Sequence, residues 1–344
     1  MMKKIFVILE VISLAICFCS CKQKPASSSE LQHAESTLPA GTAPTDTIIH
    51  WDDQYPRDVR IVGDWLCVLM AKTDTCMYLY DKVTGAFSHR LGVLGGGPED
   101  MMSPEFVKNN CEGENRNLLL CDINAGKRFS LTPDAQLTDF VPLHSRLSSI
   151  NVVAGGVLGH PIGGKPTLWE MSDANGKALR VELQPSVPAS LPEKVRPNLG
   201  YLYSCHVLAE SQLRSVIVPM YFFDLIQVYD AQGNLRKLVS PQEGYDFEQN
   251  FQDVLQGNDY WGYPQCFSSE RYCYLYRCLT DGVTRQVKQS QLVKLDWEGN
   301  IVKSIELDRP LTSGFCVEDD TIAYCIVRDI KDDQEMYRLV RYTL

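Results

Sequence analysis

The side chains best suited to binding chemistry form an aromatic group. Tyr260, Trp261 and Tyr263 lie within four positions of one another and precede an alternating tyrosine run at 272–276. Exposed aromatic rings bind sugars and peptides through a flat apolar face and a polar edge. The sequence predicts that 260–264 is a loop and that the tyrosines after it share one face of a strand. Tyr260, Trp261 and Tyr263 are therefore candidate ligand-binding residues, with packing inside the fold as the alternative.

A second candidate is a glycine-rich loop at 95–100, which contains Gly95, Gly97, Pro98 and Glu99. Successive backbone N–H groups in such a loop form a concave site for an anion. Loops carry much of the function of proteins, although most glycine runs only turn the chain. We treat these four residues as a candidate functional loop, with a structural turn as the alternative.

The signatures of common enzyme and metal sites are missing from the sequence. Residues 159–166 approach the phosphate-binding pattern GxxxxGK, but Pro166 replaces the hydroxyl that would hold magnesium. The six histidines form no HExxH pattern, and the acidic clusters at 319–320 and 329–335 lack the spacing of a calcium loop. A GxSxG elbow is also missing. The sequence therefore predicts no cofactor, no metal and no nucleotide, and it identifies no catalytic residue.

The composition is that of an ordinary globular protein. Of 344 residues, 44% are hydrophobic and 22% are charged, which excludes a chain that is disordered throughout. The formal net charge of −10 argues against a nucleic-acid partner, because nucleic-acid-binding domains carry a basic patch. The length allows one large all-β domain or two smaller domains.

The first 21 residues have the pattern of a lipoprotein export signal. A basic start, 1–4, precedes the apolar run 5–18, which is shorter than the ~20 residues that a membrane span needs. Ser20 then precedes Cys21, which resembles the lipobox of bacterial lipoproteins in the looser form found in Bacteroidetes. The resemblance implies that the Cys21 thiol is diacylated and begins the mature protein, with Cys19 as the second choice. An ordinary cleaved signal and an uncleaved anchor helix are the alternatives.

Residues 22–46 are rich in small and polar side chains and contain few large apolar ones. Such a segment cannot bury enough surface to offset its ordering entropy, so we expect a flexible tether between the lipid and a domain at 47–344. Lys22 occupies the position where an aspartate tends to mark inner-membrane retention, so the resemblance implies the outer membrane. The lack of acidic residues just after Cys21 favours the periplasmic face, with surface exposure as the alternative.

From residue 47 onward, a strand–turn–strand unit recurs. Its marker is an aspartate at the turn entrance, where the side chain bonds its own backbone, followed by a residue that adopts positive φ cheaply. The markers are Asp81, Asp134, Asp173, Asp230 and Asp296. They lie 39 to 66 residues apart, which is typical of four-stranded propeller blades, and the best helical candidate is the short stretch 246–255.

We therefore predict an all-β fold, a six-bladed β-propeller of four-stranded blades. The chain ends in a strand at 336–344 that stops before its turn. The strand at 47–51 would complete that last blade, so that the N- and C-terminal strands close the ring. Five blades, seven blades and a two-sheet sandwich array are the alternatives.

The glycine-rich loop also carries a family resemblance. Gly95, Gly97 and Pro98 match a Gly-x-Gly-Pro-Gly-Glu-Phe-like stretch of Bacteroidetes lipoproteins, whereas Glu99 stands where glycine is usual and Phe106 comes several residues late. Those lipoproteins are described as six-bladed, TolB-like propellers. Together with the lipobox and the repeat, the resemblance implies a lipid-anchored propeller of this family, for which no activity is established.

Two classes of function fit these features. The first is a non-catalytic binding or scaffolding lipoprotein of the cell envelope, whose propeller face docks a protein or a glycan. The alternative is an envelope hydrolase or lyase that acts on carbohydrate at the mouth of the central channel. The missing catalytic motifs favour the first class. Charged side chains from several blades that meet at one channel mouth would favour the second.

Overall fold

The structure is a computed structural model that describes residues 31–33, 46–97, 99–109, 116–143, 147–153, 156–162, 167–173, 178–188, 191, 193–331 and 334–344. The predicted signal and Cys21 lie outside these residues. The described chain forms six antiparallel four-stranded blades arranged in a ring, so the predicted six-bladed β-propeller is confirmed.

Two strands precede the first blade, β1 (Leu31–His33) and β2 (Asp46–Asp52). Blade 1 contains β3 (Tyr55–Val62), β4 (Trp65–Ala71), β5 (Thr75–Asp81) and β6 (Phe87–Val93). Blade 2 contains β7 (Glu105–Phe106), β8 (Leu118–Asp122), β9 (Lys127–Leu131) and β10 (Leu137–Pro142). Blade 3 contains β11 (Leu147–Val153), β12 (Gly156–Pro161), β13 (Thr167–Asp173) and β14 (Ala178–Glu182).

Blade 4 contains β15 (Leu208–Ala209), β16 (Ser215–Pro219), β17 (Ile226–Asp230) and β18 (Leu235–Ser240). Blade 5 contains β19 (Tyr260–Ser268), β20 (Tyr272–Thr280), β21 (Val287–Asp296) and β22 (Ile301–Glu306). Blade 6 contains β2 together with β23 (Leu311–Glu318), β24 (Ile322–Lys331) and β25 (Gln334–Thr343).

The two ends of the domain close the ring, as the sequence predicts. β2 pairs antiparallel with β25, and Thr47 lies opposite Val340. Trp51 is 2% exposed, and its Nε1–H donates to the Tyr80 hydroxyl of blade 1 at 2.7 Å. The closing strand therefore joins blade 6 to blade 1 as well as completing blade 6.

Three residues inside the predicted tether also have a defined place. β1 pairs in parallel with β18, with Leu31 opposite Leu238, and so adds a fifth strand to the outer edge of blade 4.

The turn chemistry of the repeat is visible at three of the marker aspartates. Asp81, Asp230 and Asp296 stand at the ends of the third strands of their blades. Each carboxylate accepts hydrogen bonds from backbone N–H groups two to four residues later. The turns are completed by positive-φ glycines, which are Gly85, Gly233 and Gly299. An aspartate and a glycine thus set each of these hairpins.

The other two markers differ. At Asp134 the turn is stabilised instead by Thr132, whose Oγ1 accepts from the Gln136 N–H at 3.1 Å, and Ala135 takes the positive φ of 60°. The turn after Asp173 lies outside the described residues. The turn of blade 2 therefore keeps its place after the third strand, although different residues close it.

Gly85 provides a test of the closure. It has a φ of 70°, and a Cβ there would overlap the carbonyl oxygen of Ile48 in β2. We expect Gly85→Ala to lower the free energy of unfolding by about 2–3 kcal/mol, measured by urea denaturation. Gly244→Ala is the matched control, because Gly244 has a φ of 64° with open space around it, and we expect a cost of about 1 kcal/mol. Equal losses of stability in the two variants would show that the close contact between Gly85 and β2 does not contribute to the stability of the ring.

Hydrophobic clusters lie between neighbouring blades. One includes Val68, Phe267 and Phe315 from blades 1, 5 and 6, and another includes Ile217 and Tyr263 from blades 4 and 5. Each blade is therefore stabilised by its neighbours, as expected for radial packing.

Helices are few in the described chain. A 3₁₀ helix at Glu193–Asn198 leads into α1 (Leu199–Leu202), and α2 (Phe247–Gln256) confirms the predicted helical stretch. Asp246 begins α2, since its carboxylate accepts from the Glu248 N–H at 2.9 Å. None of the helices that the structure describes is long and apolar enough to cross a membrane.

Candidate functional site

The innermost strands of the blades line a central channel. In each of blades 1 to 5 the first strand is the edge strand of its sheet, and the edge strand β23 of blade 6 contacts both β3 and β19. Because the strands of a blade alternate in direction, all first strands begin on the same face of the ring. We call this the entry face. The connections between blades lie on it.

A polar pocket of about 280 Å³ occupies the entry end of this channel. The volume corresponds to about nine water molecules. Five blades contribute to its lining, which includes Arg57, Glu105, Lys108, Ser149, His206 and Gln265. In small-molecule sites of proteins, a few convergent polar groups fix the orientation of the ligand.

Several polar groups in the pocket are free to bind a ligand. Within the described part of the chain, the Glu105 carboxylate, Lys108 Nζ and the Gln265 amide form no hydrogen bond or ion pair with another protein group. Arg57 has one long contact, from Nη1 to the Ser103 hydroxyl at 3.5 Å. A ligand would therefore not have to displace an existing strong partner of these side chains.

His206 is held neutral with one nitrogen available. Its Nε2 lies 2.8 Å from the Pro264 carbonyl oxygen, which only accepts hydrogen bonds, so the proton is assigned to Nε2 and Nδ1 is an acceptor. Burial lowers the pKa of His206 to about 3, and the charge of Lys108 adds to the effect. An imidazole with this pKa accepts a hydrogen bond from a ligand but is a weak general base at neutral pH.

Cys205 and His160 resemble a catalytic thiol–imidazole pair in distance alone. Cys205 Sγ lies 3.5 Å from His160 Nδ1, but Nδ1 is 2.7 Å from the Leu168 carbonyl and must donate its proton there. Burial raises the pKa of Cys205 far above its usual value. The thiol is therefore protonated and has no base to activate it.

The two serines of the pocket serve the structure. The Ser149 hydroxyl accepts from the Val207 N–H at 3.1 Å, and the Ser148 hydroxyl donates to the His160 carbonyl at 3.2 Å. Within the described residues, the pocket thus holds no nucleophile paired with a base.

A buried arginine lies next to the pocket. Arg60 is 2% exposed, and its Nη1 donates to Asp58 Oδ1 at 2.8 Å and to the Phe315 carbonyl at 3.0 Å. Its guanidinium lies over the rings of Phe106 and Phe267, at 5.3 and 5.2 Å from their centroids. Two more of its nitrogens, Nε and Nη2, have no hydrogen-bond partner among the described atoms. Asp58 lines the pocket, and its ion pair with Arg60 neutralises its negative charge.

Because Arg60 neutralises Asp58, the remaining charged side chains of the pocket give it a net positive charge. Arg57 and Lys108 are positive, and Glu105 alone is negative. This excess of positive charge occurs in a chain whose net charge is −10. The local field favours an anionic group, while Glu105 and His206 Nδ1 offer acceptors for hydroxyl donors. Among the described residues, no three His, Cys, Asp or Glu side chains are grouped as metal ligands.

The glycine-rich loop lies in the connection between blades 1 and 2, on the entry face. The Gly97 N–H donates to Asp100 Oδ2 at 2.7 Å, and a Cβ on Gly95 would overlap the same carboxylate. The loop thus folds around its own aspartate. Glu99 is exposed, and Pro98 lies outside the described residues.

The predicted aromatic group lies in a strand rather than a loop, so that part of the prediction is wrong. Pro264 is tolerated in β19 because the ladder has a bulge between Gly262 and Gln265. Tyr263 is fully buried, and Tyr260 is 8% exposed.

Trp261 is the most accessible of the three predicted aromatics. It is half-buried, and its ring lies 3.9 Å from the Arg277 guanidinium. The structure therefore does not bring the three side chains together on one surface.

Comparison with known proteins shows the fold. No protein-family model and no curated protein matches the chain. A solved member of the DUF4221 family from Bacteroides vulgatus is similar, with 9% identity and a TM-score of 0.51 over 87% of this chain and 95% of that chain. Virginiamycin B lyase from Staphylococcus aureus has 9% identity and a TM-score of 0.43 over 85% and 98%. The Cps50 β-propeller domain from Myceliophteria thermophila has 10% identity and a TM-score of 0.42 over 86% and 98%.

Proposed function

We propose that the protein is a lipid-anchored β-propeller of the bacterial cell envelope that binds a glycan without catalysis at its entry face. One observation carries the proposal. Side chains from four blades present polar atoms that remain available to a ligand in one pocket of about 280 Å³, and these side chains are Arg57, Glu105, Lys108, His206 and Gln265. A small pocket with both donors and acceptors suits the hydroxyls and charges of a sugar better than the flat surface of a protein partner.

The alternative, an envelope hydrolase or lyase that acts on carbohydrate, draws on the same convergence of charged groups. Its candidate base would be His206, whose pKa of about 3 leaves little driving force for proton abstraction at neutral pH. Its candidate nucleophile, the Cys205 thiol, has a raised pKa and remains protonated. These two observations favour binding over catalysis.

The binding proposal predicts that the pocket lysine contributes strongly to affinity. We expect Lys108→Gln to weaken glycan binding about tenfold or more, because a hydrogen bond to a charged group is worth ~1.5–3 kcal/mol. The measurement is calorimetric titration of the full-length lipoprotein in detergent with saccharides first selected on a glycan array. Lys303→Gln, at an exposed position of β22, is the control and should bind as the parent does. Release of new reducing ends from a bound saccharide would support the enzyme alternative instead.

We also propose that Cys21 carries the lipid and that the protein belongs to the TolB-like lipoproteins of Bacteroidetes. The lipobox-like sequence supports this, and the Bacteroides vulgatus origin of a structural neighbour agrees with it. The outer membrane, on its periplasmic face, is the location proposed from the residues after Cys21.

The anchor can be tested with two cysteine variants. We expect Cys21→Ser to abolish palmitate labelling and to move the protein from the detergent phase to the aqueous phase, because the acyl chains supply the membrane affinity. Cys19→Ser is the matched control and should keep both properties. If Cys19→Ser abolishes both properties and Cys21→Ser does not, the lipid is attached to Cys19. If neither variant has an effect, lipidation is excluded. Protease accessibility on intact cells separates the periplasmic face from surface exposure.

A further inference from the structure

A second aromatic group lies on the entry face and was not evident from the sequence. It consists of Tyr201, Tyr221, Phe222 and Tyr260, and we call it the aromatic surface. Phe222 is its centre, with ring centroids 4.9 Å from Tyr201, 5.0 Å from Tyr221 and 5.6 Å from Tyr260. Tyr201 is 63% exposed and Tyr221 is 37% exposed. Two tyrosine rings on a shared support are therefore open to solvent.

The backbone holds this surface in place. The Tyr221 N–H donates to the Ser204 carbonyl at 2.8 Å, which fixes the loop between β16 and β17 against the end of α1. Gly262 of β19 allows the same loop to approach closely, because a Cβ there would overlap the Tyr221 carbonyl oxygen. A ligand would thus meet a preformed surface, which reduces the entropy cost of binding.

The aromatic surface adjoins the channel pocket. The Tyr221 ring centroid lies 6.2 Å from that of His206, and His206 lines the pocket. One molecule can therefore occupy the pocket and extend over the tyrosines. The pocket itself has room for only about nine water molecules, so a chain of sugars would have to extend outside it.

The channel pocket and the aromatic surface offer different chemical groups, and together these groups specify the class of ligand. Arg57 and Lys108 offer positive charge without a carboxylate partner among the described residues. Tyr201 and Tyr221 offer flat rings with polar edges, on which the apolar face of a sugar stacks. Glu105 and Gln265 can pair with hydroxyl groups.

We propose that the site binds an acidic saccharide of two or more units, with the carboxylate of one unit in the channel pocket and the next ring on the aromatic surface. The inference rests on the proposed function and deepens it by naming the ligand class. It rests on the position of exposed tyrosines directly beside a positively charged pocket, on the same face of the ring.

The experiment compares three probes by calorimetry on the full-length lipoprotein in detergent: trigalacturonic acid, galacturonic acid and cellotriose. We expect trigalacturonic acid to bind at least about tenfold more tightly than cellotriose, because only the former has carboxylates for Arg57 and Lys108. High salt should weaken that difference. Binding of the acidic trimer no tighter than that of cellotriose would overturn the inference while leaving glycan binding intact.

The tyrosines are tested separately from the charges. We expect Tyr201→Ala and Tyr221→Ala each to weaken binding of trigalacturonic acid about fivefold and to leave binding of galacturonic acid unchanged, because only the longer probe reaches the aromatic surface. Phe87→Ala, at a residue that is 52% exposed on blade 1, is the matched control and should change neither. Unchanged binding of the trimer in both tyrosine variants would overturn the inference. Failure of every saccharide to bind would overturn the proposed function itself.

Discussion

Replacement of Arg277 by methionine is expected to lower the free energy of unfolding by about 3–5 kcal/mol. Arg277 is 8% exposed and pairs with Asp224, which is fully buried. Its Nε donates to Asp224 Oδ1 at 2.8 Å and its Nη2 donates to Oδ2 at 2.6 Å. The substitution leaves a carboxylate buried without its counter-charge, and that penalty causes most of the loss. Urea denaturation followed by tryptophan fluorescence measures it.

This ion pair connects two blades. Asp224 lies between β16 and β17 of blade 4, while Arg277 belongs to β20 of blade 5. The Tyr263 hydroxyl also donates to Asp224 at 2.8 Å, and Arg277 Nη1 donates to the Gln291 amide oxygen at 2.9 Å. Trp261 covers the guanidinium. Loss of Arg277 therefore removes several interactions at one blade interface.

Two comparisons separate the buried pair from a general charge effect. Arg116→Met breaks the pair with Glu270, whose side chains are 52% and 55% exposed, and we expect a cost below about 1 kcal/mol. The double variant Asp224→Leu with Arg277→Met should lose less than the sum of the two single variants, because no unpaired charge remains. A cost of Arg277→Met as small as that of Arg116→Met would contradict this account.

The fold follows from local turn chemistry, which is why the sequence predicts it well. Asp81, Asp230 and Asp296 bond the backbone of their own turns, so the signal lies within a few consecutive residues. The recurrence of that signal predicts blades, and the unpaired last strand predicts closure by 47–51. Asp134 shows the limit of the argument, because Thr132 performs the turn-capping role there.

The pocket could not be found in the same way. Arg57, Glu105, Lys108, His206 and Gln265 come from four blades, and only Glu105 and Lys108 are close to each other in the sequence. Their proximity arises only when the ring closes and the innermost strands meet at the channel. A spacing argument detects ligands that share a turn or a helix face, whereas a propeller gathers its site from long-range contacts.

The aromatic prediction shows a different limit. Tyr260, Trp261 and Tyr263 lie together in the sequence, but alternation along β19 places Tyr260 on the face opposite to Trp261, which lies over Arg277. Tyr263 is buried at the blade interface beside Asp224, and Tyr260 joins the aromatic surface through Phe222. Pro264 suggested a loop at 260–264, whereas in the structure the bulge in β19 accommodates this proline.

Acidification is expected to destabilise the protein through His206. Burial and the charge of Lys108 lower the pKa of this imidazole to about 3 in the folded state. In an unfolded chain the pKa of a histidine side chain is about 6.5. Below about pH 6.5 the His206 side chain binds a proton in the unfolded state but not in the folded state. Its contribution to stability therefore falls as the pH decreases towards 3 and is constant above neutrality. This residue alone should cost about 2 kcal/mol between pH 8 and pH 5. His160, whose pKa is also lowered by burial, acts in the same direction.

The His206→Gln variant isolates this effect, since its amide can still donate to the Pro264 carbonyl but does not titrate. Urea denaturation at pH 5, 6, 7 and 8 should give a pH dependence that is about 2 kcal/mol smaller for the variant than for the parent, because the titrating carboxylates are common to both. His50→Gln, at an exposed position of β2, is the matched control and should keep the parent's pH dependence. If His206→Gln also keeps it, the imidazole is protonated as readily in the channel as in water. The channel pocket would then be better hydrated and His206 would no longer be a neutral acceptor for a ligand.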